Sequence, residues 1–300
     1  MARRSDWIIG VLILLSVVFL LLIFGIGISG LPSGGGALHV SGDRIGVVEL
    51  KGVILDSQPV VRQLKRLAES KGIKAIVLRI DSPGGGVAAS QEIYDAVRKI
   101  RESGKPIVVS MGSVAASGGY YVACGADSIL ANPGTTTGSI GVILEIPNVE
   151  GLMKKLGVKF QVIKSGKFKD TGSPYREMTP EERRYLQSYI DNAFQQFVSV
   201  VAENRHITRS KVLSFADGRI FTGKQALALG LVDKLGDYQD AIDLAWKMAG
   251  LKGKPKVYRV PKRKITLLDL LFGDVSGVLQ KLEAAPALKY QLKLTAPVAP

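Results

Sequence analysis

Two near-continuous apolar runs, Ile73–Ile80 (IKAIVLRI) and Pro106–Met111 (PIVVSM), constrain the fold of this chain more than any other feature. A strand with one wet face alternates apolar and polar residues. A run without alternation suits a strand buried on both faces, as in a parallel sheet covered by helices. The first run stops at Asp81-Ser82-Pro83-Gly84-Gly85-Gly86, a strong breaker cluster. The second leads through a small-residue turn, Gly112–Ala116, into Ser117-Gly118-Gly119. Ile45–Leu50, Asp127–Ala131 and Lys159–Ile163 read as further strands. Helical spacing covers Val60–Ser70 and Val87–Arg101, and Ser117–Gly125 reads as a helix of small residues. Thr179-Pro180-Glu181-Glu182 is the start signal of a long helix over Pro180–Asn204. Thr222-Gly223-Lys224-Gln225-Ala226 opens another, and Asp237–Met248 is the last. The alternation of strands and helices predicts an α/β domain with parallel pairing.

The two ends differ from this middle. No charged residue occurs from Trp7 to Leu31, and Ile8–Ile28 alone is long enough to span a bilayer as a helix. Arg3 and Arg4 precede it, so the positive-inside bias places residues 1–6 in the cytoplasm, residues 7–31 in the membrane and the rest outside the cytoplasm. A cleaved secretory signal is the competing reading, but its apolar region is usually shorter. Residues 32–43, with Pro32-Ser33-Gly34-Gly35-Gly36, read as a linker, and residues 44–250 as the folded domain. The net charge is +14, and residues 251–300 hold ten Lys/Arg against three Asp/Glu. That basic C-terminal extension suits anionic lipid, nucleic acid, an acidic partner or plain solvent. No zinc-binding spacing or RNA-binding signature accompanies it, so no nucleic-acid partner is expected. Its stretch Ile265–Leu282 has an apolar helical face, suited to a membrane surface, a subunit contact or packing on its own domain.

Few residues can carry chemistry. His39 and His206 are the only histidines, and neither adjoins a plausible nucleophile in sequence. Two distant His and one Cys make a poor zinc set. The lone Cys124 cannot form an intramolecular disulfide and reads as a core residue. Gly166-Lys167 lacks the P-loop glycine and hydroxyl, and no G-x-G-x-x-G follows the first strand. What remains is Ser117, a serine set in glycine at a strand–turn–helix junction. The next backbone N–H can point at a developing oxyanion, and Gly84-Gly85 can supply a second donor. The plainer reading of Ser117 is a helix N-cap. Without a nearby histidine the base would be a lysine, which can serve if desolvation favours its neutral form. Lys164, Lys167 and Lys169 cluster in Lys164-Ser165-Gly166-Lys167-Phe168-Lys169, and composition does not choose among them.

Five motifs in order carry a resemblance: IDSPGGG (80–86), SVAASGGYYVACGAD (113–127), TTTGSIGVI (135–143), SGKFKDTGSPYREMTPEER (165–183) and DGRIFTGKQALALGLVDKLG (217–236). Over about residues 44–248 the chain resembles the signal peptide peptidase A (protease IV) family in its short, single-unit form. The resemblance implies a crotonase-like, Clp-protease-like fold of repeated β-β-α units behind an N-terminal transmembrane helix. It implies a serine endopeptidase with a Ser–Lys dyad and no cofactor: Ser117 as nucleophile, Lys169 as general base and Ser139 as the residue that orients the lysine. Phe168 stands where the family's motif has tyrosine. The oxyanion donors would be Gly118 and Gly84 or Gly85, with Gly85 favoured. It further implies a single-pass membrane protein with its catalytic domain outside the cytoplasm, assembled as a ring whose serine and lysine can come from neighbouring subunits. The partners would be cleaved signal peptides and other apolar peptides, and the lipid bilayer through residues 7–31. Alternatives are a related membrane peptidase that cuts a specific partner such as a stomatin-like protein, and a non-catalytic scaffold of the same fold. A crotonase-type acyl-CoA enzyme would not need the Ser117 and Lys169 pairing.

Overall fold

The structure, a computed structural model, describes Trp7, residues 14–17, residues 42–260 and residues 289–291. Trp7 and residues 14–17 are helical and belong to a separate N-terminal unit, Met1–Leu38. The rest of the expected membrane span, the stretch Ile265–Leu282 and His39 lie outside the described residues. Among the described residues no helix is long and apolar enough to cross a membrane.

The second unit runs β1 (Arg44–Lys51), α1 (Gln58–Glu69), β2 (Ile73–Ser82), β3 (Gly84–Gly86), α2 (Val87–Glu102), β4 (Ile107–Ala116) and α3 (Gly118–Ala123). It continues with β5 (Ser128–Ala131), β6 (Thr136–Gly138), α4 (Glu150–Lys155), α5 (Pro180–Arg205), α6 (Arg209–Leu213) and β7 (Ile220–Thr222). α7 (Gly223–Leu229), β8 (Lys234–Leu235), α8 (Tyr238–Met248), β9 (Val257–Arg259) and β10 (Lys289–Gln291) complete it. The run β2–β3–α2 is one β-β-α unit.

Among the described residues the main sheet has eight strands: the path β9-β1-β2-β4-β6 is parallel throughout, β7 follows antiparallel to β6, and β5 branches from β4 to carry β8. β9 lies beyond residue 250 and still joins the domain's sheet as an edge strand. The two-sided burial expected of the apolar runs holds. Ile45 and Val47 of β1 and Ala75 and Val77 of β2 pack against Ala241, Ile242, Ala245 and Trp246 of α8. The intervening Gly46 faces Leu67 of α1, so the period of two divides each strand between two helical layers. α1 turns Val60, Val61, Leu64 and Leu67 inward, a helical stripe of three- and four-residue steps.

β4 departs from expectation in a way that builds the site. Gly112–Ala116, read as a turn, is the second half of a ten-residue strand. Its first half pairs with β5 and its last three residues with β6, both parallel. Between the halves the β2–β4 register jumps from Ile80↔Met111 to Ser82↔Ala115. The Asp81 carboxylate fills that gap, lying against Gly112 and accepting the Val114 N–H at 3.1 Å. A small residue is needed there for Asp81 to approach, which is why the stretch looks like a turn in the sequence.

The strand expected over Lys159–Ile163 is absent; the chain there is irregular and exposed. Val158, Phe160 and Val162 alternate as strand residues do, yet they have no sheet edge to join among the described residues. The helices expected at Pro180 and Thr222 begin where the sequence places them, each with a reciprocal capping box: Thr179 with Glu182, and Thr222 with Gln225.

Trp246 fixes α8 on the sheet. Trp246→Ala should lower stability by about 3–5 kcal/mol, read as a shifted midpoint in urea unfolding. A change below about 1 kcal/mol would mean that α8 does not cover this face in solution.

Candidate active site

β4 and β6 end in register. Ala116 pairs with Gly138, and the next residue of each strand is a serine, Ser117 or Ser139. The Ser117 N–H donates to the Gly138 carbonyl at 2.8 Å, closing the ladder. Both serines are buried, 2% and 7% exposed. Both have positive φ, +52° for Ser117 and +51° for Ser139. Among the described non-glycine residues only His206 shares this, as an exposed helix C-cap. A positive φ costs an L-residue roughly 1 kcal/mol or more, and such strain concentrates at functional sites.

Ser117 occupies the N-cap position of α3, but its side chain makes no cap hydrogen bond. The plainer N-cap reading is therefore unsupported. The hydroxyl has no hydrogen-bond partner among the described residues, and neither does the Gly118 N–H beside it. α3 itself is held firmly. The Tyr120 hydroxyl donates to the Leu231 carbonyl at 2.9 Å. Tyr121 stands edge-on between Tyr94 of α2 and Phe197 of α5. Gly119 approaches the Ser82 carbonyl so closely that a Cβ would lie 2.9 Å from it.

The glycine strand β3 crosses beside this junction. Gly84 carbonyl and Gly86 N–H both bond to Ile54, at 2.9 and 2.7 Å. In an extended chain the N–H and C=O of the intervening Gly85 then project from the opposite edge. Along that edge β10 runs antiparallel, with Tyr290 opposite Gly85. A Cβ on Gly85 would meet the Ile54 carbonyl at 2.1 Å, so only glycine fits. The Gly84 N–H is already engaged, donating to the Ser82 hydroxyl at 3.1 Å. Of the two expected donors, Gly85 is thus the one whose N–H lies on the edge that β10 lines, away from Ile54.

The three lysines separate by their partners. Lys164 Nζ is paired with Asp170 at 2.5 Å, and Lys167 with Glu181. Lys169 is exposed and has no ion pair among the described residues. The structure does not bring Lys169 to Ser117: no hydrogen bond joins them within one chain. The Lys169 turn is braced instead by a network that the sequence did not disclose. Arg176 reaches Asp170 on one side and the buried Glu182 on the other. Its nearest sequence signal was Glu182, visible only as part of a helix start.

The lone cysteine is excluded as a reactive centre. Burial pushes the Cys124 thiol up to about 12, too high for a thiolate at neutral pH. His206 ends α5 on the surface.

The Arg176 guanidinium, with the Thr179 N–H and hydroxyl, holds the Glu182 carboxyl at about 2. Its unfolded value is about 4.3, so folding gains from the ionised form. That stabilisation is complete above the unfolded value and is lost as the pH falls through about 2. Accordingly, wild type should exceed Glu182→Gln in thermal midpoint above pH 5, and the gap should close on acidification. A gap constant from pH 6 to pH 2.5 would count against the ionic contribution.

Comparison with known proteins gives a consistent picture. Residues 99–252 match the sequence model of peptidase family S49, and residues 48–136 that of Clp protease. A candidate protease of Synechocystis sp. is 50% identical over 210 residues, covering 69% of this chain and 75% of that protein. A candidate signal peptide peptidase of Enterococcus faecium is 44% identical over 186 residues, 62% of this chain and 54% of its own length. Protease 4 of Salmonella typhi is 35% identical over 246 residues, 79% of this chain but 39% of its own. The chain thus spans about half the enterococcal relative and less of the Salmonella one.

Proposed function

Since this chain belongs to peptidase family S49 and is a serine peptidase, we propose that it hydrolyses extended apolar peptides with Ser117 as nucleophile and Lys169 as general base. The observation that carries the reading is the paired ending of β4 and β6, which leaves the Ser117 hydroxyl and the Gly118 N–H beside it without a hydrogen-bond partner among the described residues.

In the proposed reaction neutral Lys169 takes the Ser117 proton as Oγ attacks the scissile carbonyl carbon. The oxyanion receives the Gly118 and Gly85 N–H groups. Collapse breaks the C–N bond, and the lysine ammonium returns its proton to the leaving amine. Water, deprotonated by the same amine, then hydrolyses the acyl-enzyme. Ser139 would hold the lysine amine from the adjacent strand end. No cofactor enters.

The β3 edge supports an extended substrate, since it carries Lys289–Gln291 as an antiparallel strand. Peptide substrates also agree with the names of the relatives. Signal peptides left in the bilayer are the proposed class, with the span 7–31 holding the domain at the membrane.

We also propose a ring-shaped homo-oligomer in which Lys169 meets Ser117 of a neighbouring copy. The segment before Lys169 exposes Leu156, Val158, Phe160, Val162 and Ile163, the last fully so. A run of apolar side chains on that scale calls for cover, and a second copy supplies it with closed symmetry.

Ser117→Ala and Lys169→Ala should each lower kcat by on the order of 10⁴-fold while leaving the thermal midpoint near wild type. A fluorophosphonate should label Ser117, and turnover of an apolar peptide should rise on the alkaline side of neutral. Full activity of Lys169→Ala would move the base elsewhere, and an unlabelled Ser117 would favour a non-catalytic scaffold.

A further inference from the structure

We infer that Arg176, acting through Asp170 and Glu182, is a positioning residue that sets the location of the Lys169 amine. The inference rests on the reading of Lys169 as the base.

Lys169 lies in no helix or strand. Its backbone sits in a chain of tight turns: Lys169 N–H to Gly166 carbonyl at 3.2 Å, Thr171 N–H to Phe168 carbonyl at 3.1 Å, and Ser173 N–H to Asp170 carbonyl at 3.0 Å. Such turns fix local curvature but not the position of the loop on the domain. A general base has to be held to within a fraction of an ångström of its proton, so something must fix that position.

Three contacts reach α5 from the loop itself, Lys167 to Glu181, the Thr171 hydroxyl to Glu182 Oε1 at 3.3 Å and the Phe168 ring against Tyr185; Arg176 adds the tie that grips Asp170, the residue next to Lys169. Its Nε donates to Asp170 Oδ2 at 3.0 Å and its Nη2 to the Asp170 carbonyl at 3.3 Å. Side chain and backbone of the residue next to Lys169 are thereby gripped together. From the other end of the guanidinium, Nη1 and Nη2 donate to the two Glu182 oxygens at 2.9 and 2.5 Å. Glu182 is a rigid post. It is buried in the first turn of the 26-residue α5 and also accepts the Thr179 N–H at 2.9 Å. Lys164 Nζ braces the loop from inside, donating to Asp170 Oδ1 at 2.5 Å and to the Lys167 carbonyl at 3.1 Å. The connection runs from helix to Glu182, to Arg176, to Asp170, to Lys169. Only arginine has enough donors, fixed in a plane, to hold two carboxylates and a carbonyl at once.

The network lies outside the sheet–helix core, so loosening it leaves the core packed. α5 keeps Phe197, Val198 and Val201 buried without it. A role confined to folding would therefore show in the unfolding midpoint alone, and a positioning role in kcat of the folded protein as well.

The test uses the full-length chain in its assembled state, cleaving an apolar fluorogenic peptide. Arg176→Ala should lower kcat by about 10²-fold, the scale of a 1 Å misplacement, with KM within about twofold of wild type. Labelling of Ser117 by fluorophosphonate should slow in parallel. Arg176→Lys should recover part of the loss, and Asp170→Asn should fall between wild type and Arg176→Ala. Arg176→Ala should lower the thermal midpoint about as much as Glu182→Gln does, so kcat is read well below the midpoint of every variant, where all are folded. If Lys169→Ala is inactive while Arg176→Ala keeps kcat within twofold, the positioning inference fails alone. If Lys169→Ala is active, the base assignment fails and takes the inference with it. Equal losses in Arg176→Ala and Arg176→Lys that appear only near their midpoints would make the network a folding element and overturn the inference too.

Discussion

The hydrogen bond from the Ser117 N–H to the Gly138 carbonyl is the constraint on which the site depends. It joins the last rung of a parallel ladder, so β4 and β6 must leave the sheet at the same level. Each then turns at a serine of positive φ. Such a conformation persists only where the surroundings over-determine it. Here the Thr137 hydroxyl bonds to the Ala115 carbonyl and the Thr135 hydroxyl to the Gly112 carbonyl, pinning β6 and its approach along β4. Tyr120 and Tyr121 anchor the chain immediately after Ser117. The strain sits in a rigid corner, so the hydroxyl is presented without searching.

The sequence disclosed what burial dictates and hid what long-range partners decide. β2 and the first half of β4 were readable because strands covered on both faces have no polar alternation to confuse the pattern. The second half of β4 was not, since Gly112–Ala116 is strand only because β6 arrives beside it and Asp81 reaches into the gap. The alternation over Lys159–Ile163 was a sound strand signal with no edge to pair with among the described residues. Ser117 stood out through its glycine neighbours. Ser139 came only from family resemblance, because a serine at a strand end announces nothing by itself. Arg176 looked like any loop arginine; its role lies in which two carboxylates it joins.

Three lysines within six residues were equivalent by composition, and their partners distinguish them. An amine bound to a carboxylate is poorly placed to accept a proton from a serine. Lys164 and Lys167 are so bound, to Asp170 and Glu181. The same Asp170 that occupies Lys164 also receives Arg176, so the contacts that engage one lysine hold the neighbouring one in place. On the proposed reading, selection and placement of the base are then one piece of electrostatics.

The proposed nucleophile and the proposed base sit in different kinds of structure. Ser117 is in the packed interior, whereas Lys169 is on an exposed loop after an uncovered apolar segment. A lysine in water stays charged and cannot act as a base; withdrawal from water disfavours the charge. If a second copy covers Val158, Phe160 and Val162, the same burial excludes water from the neighbouring amine. Assembly and activation would then be a single event driven by apolar contact. On the proposed reading, a lone chain would hold a strained serine with no base, and would stay inactive until a second copy arrives.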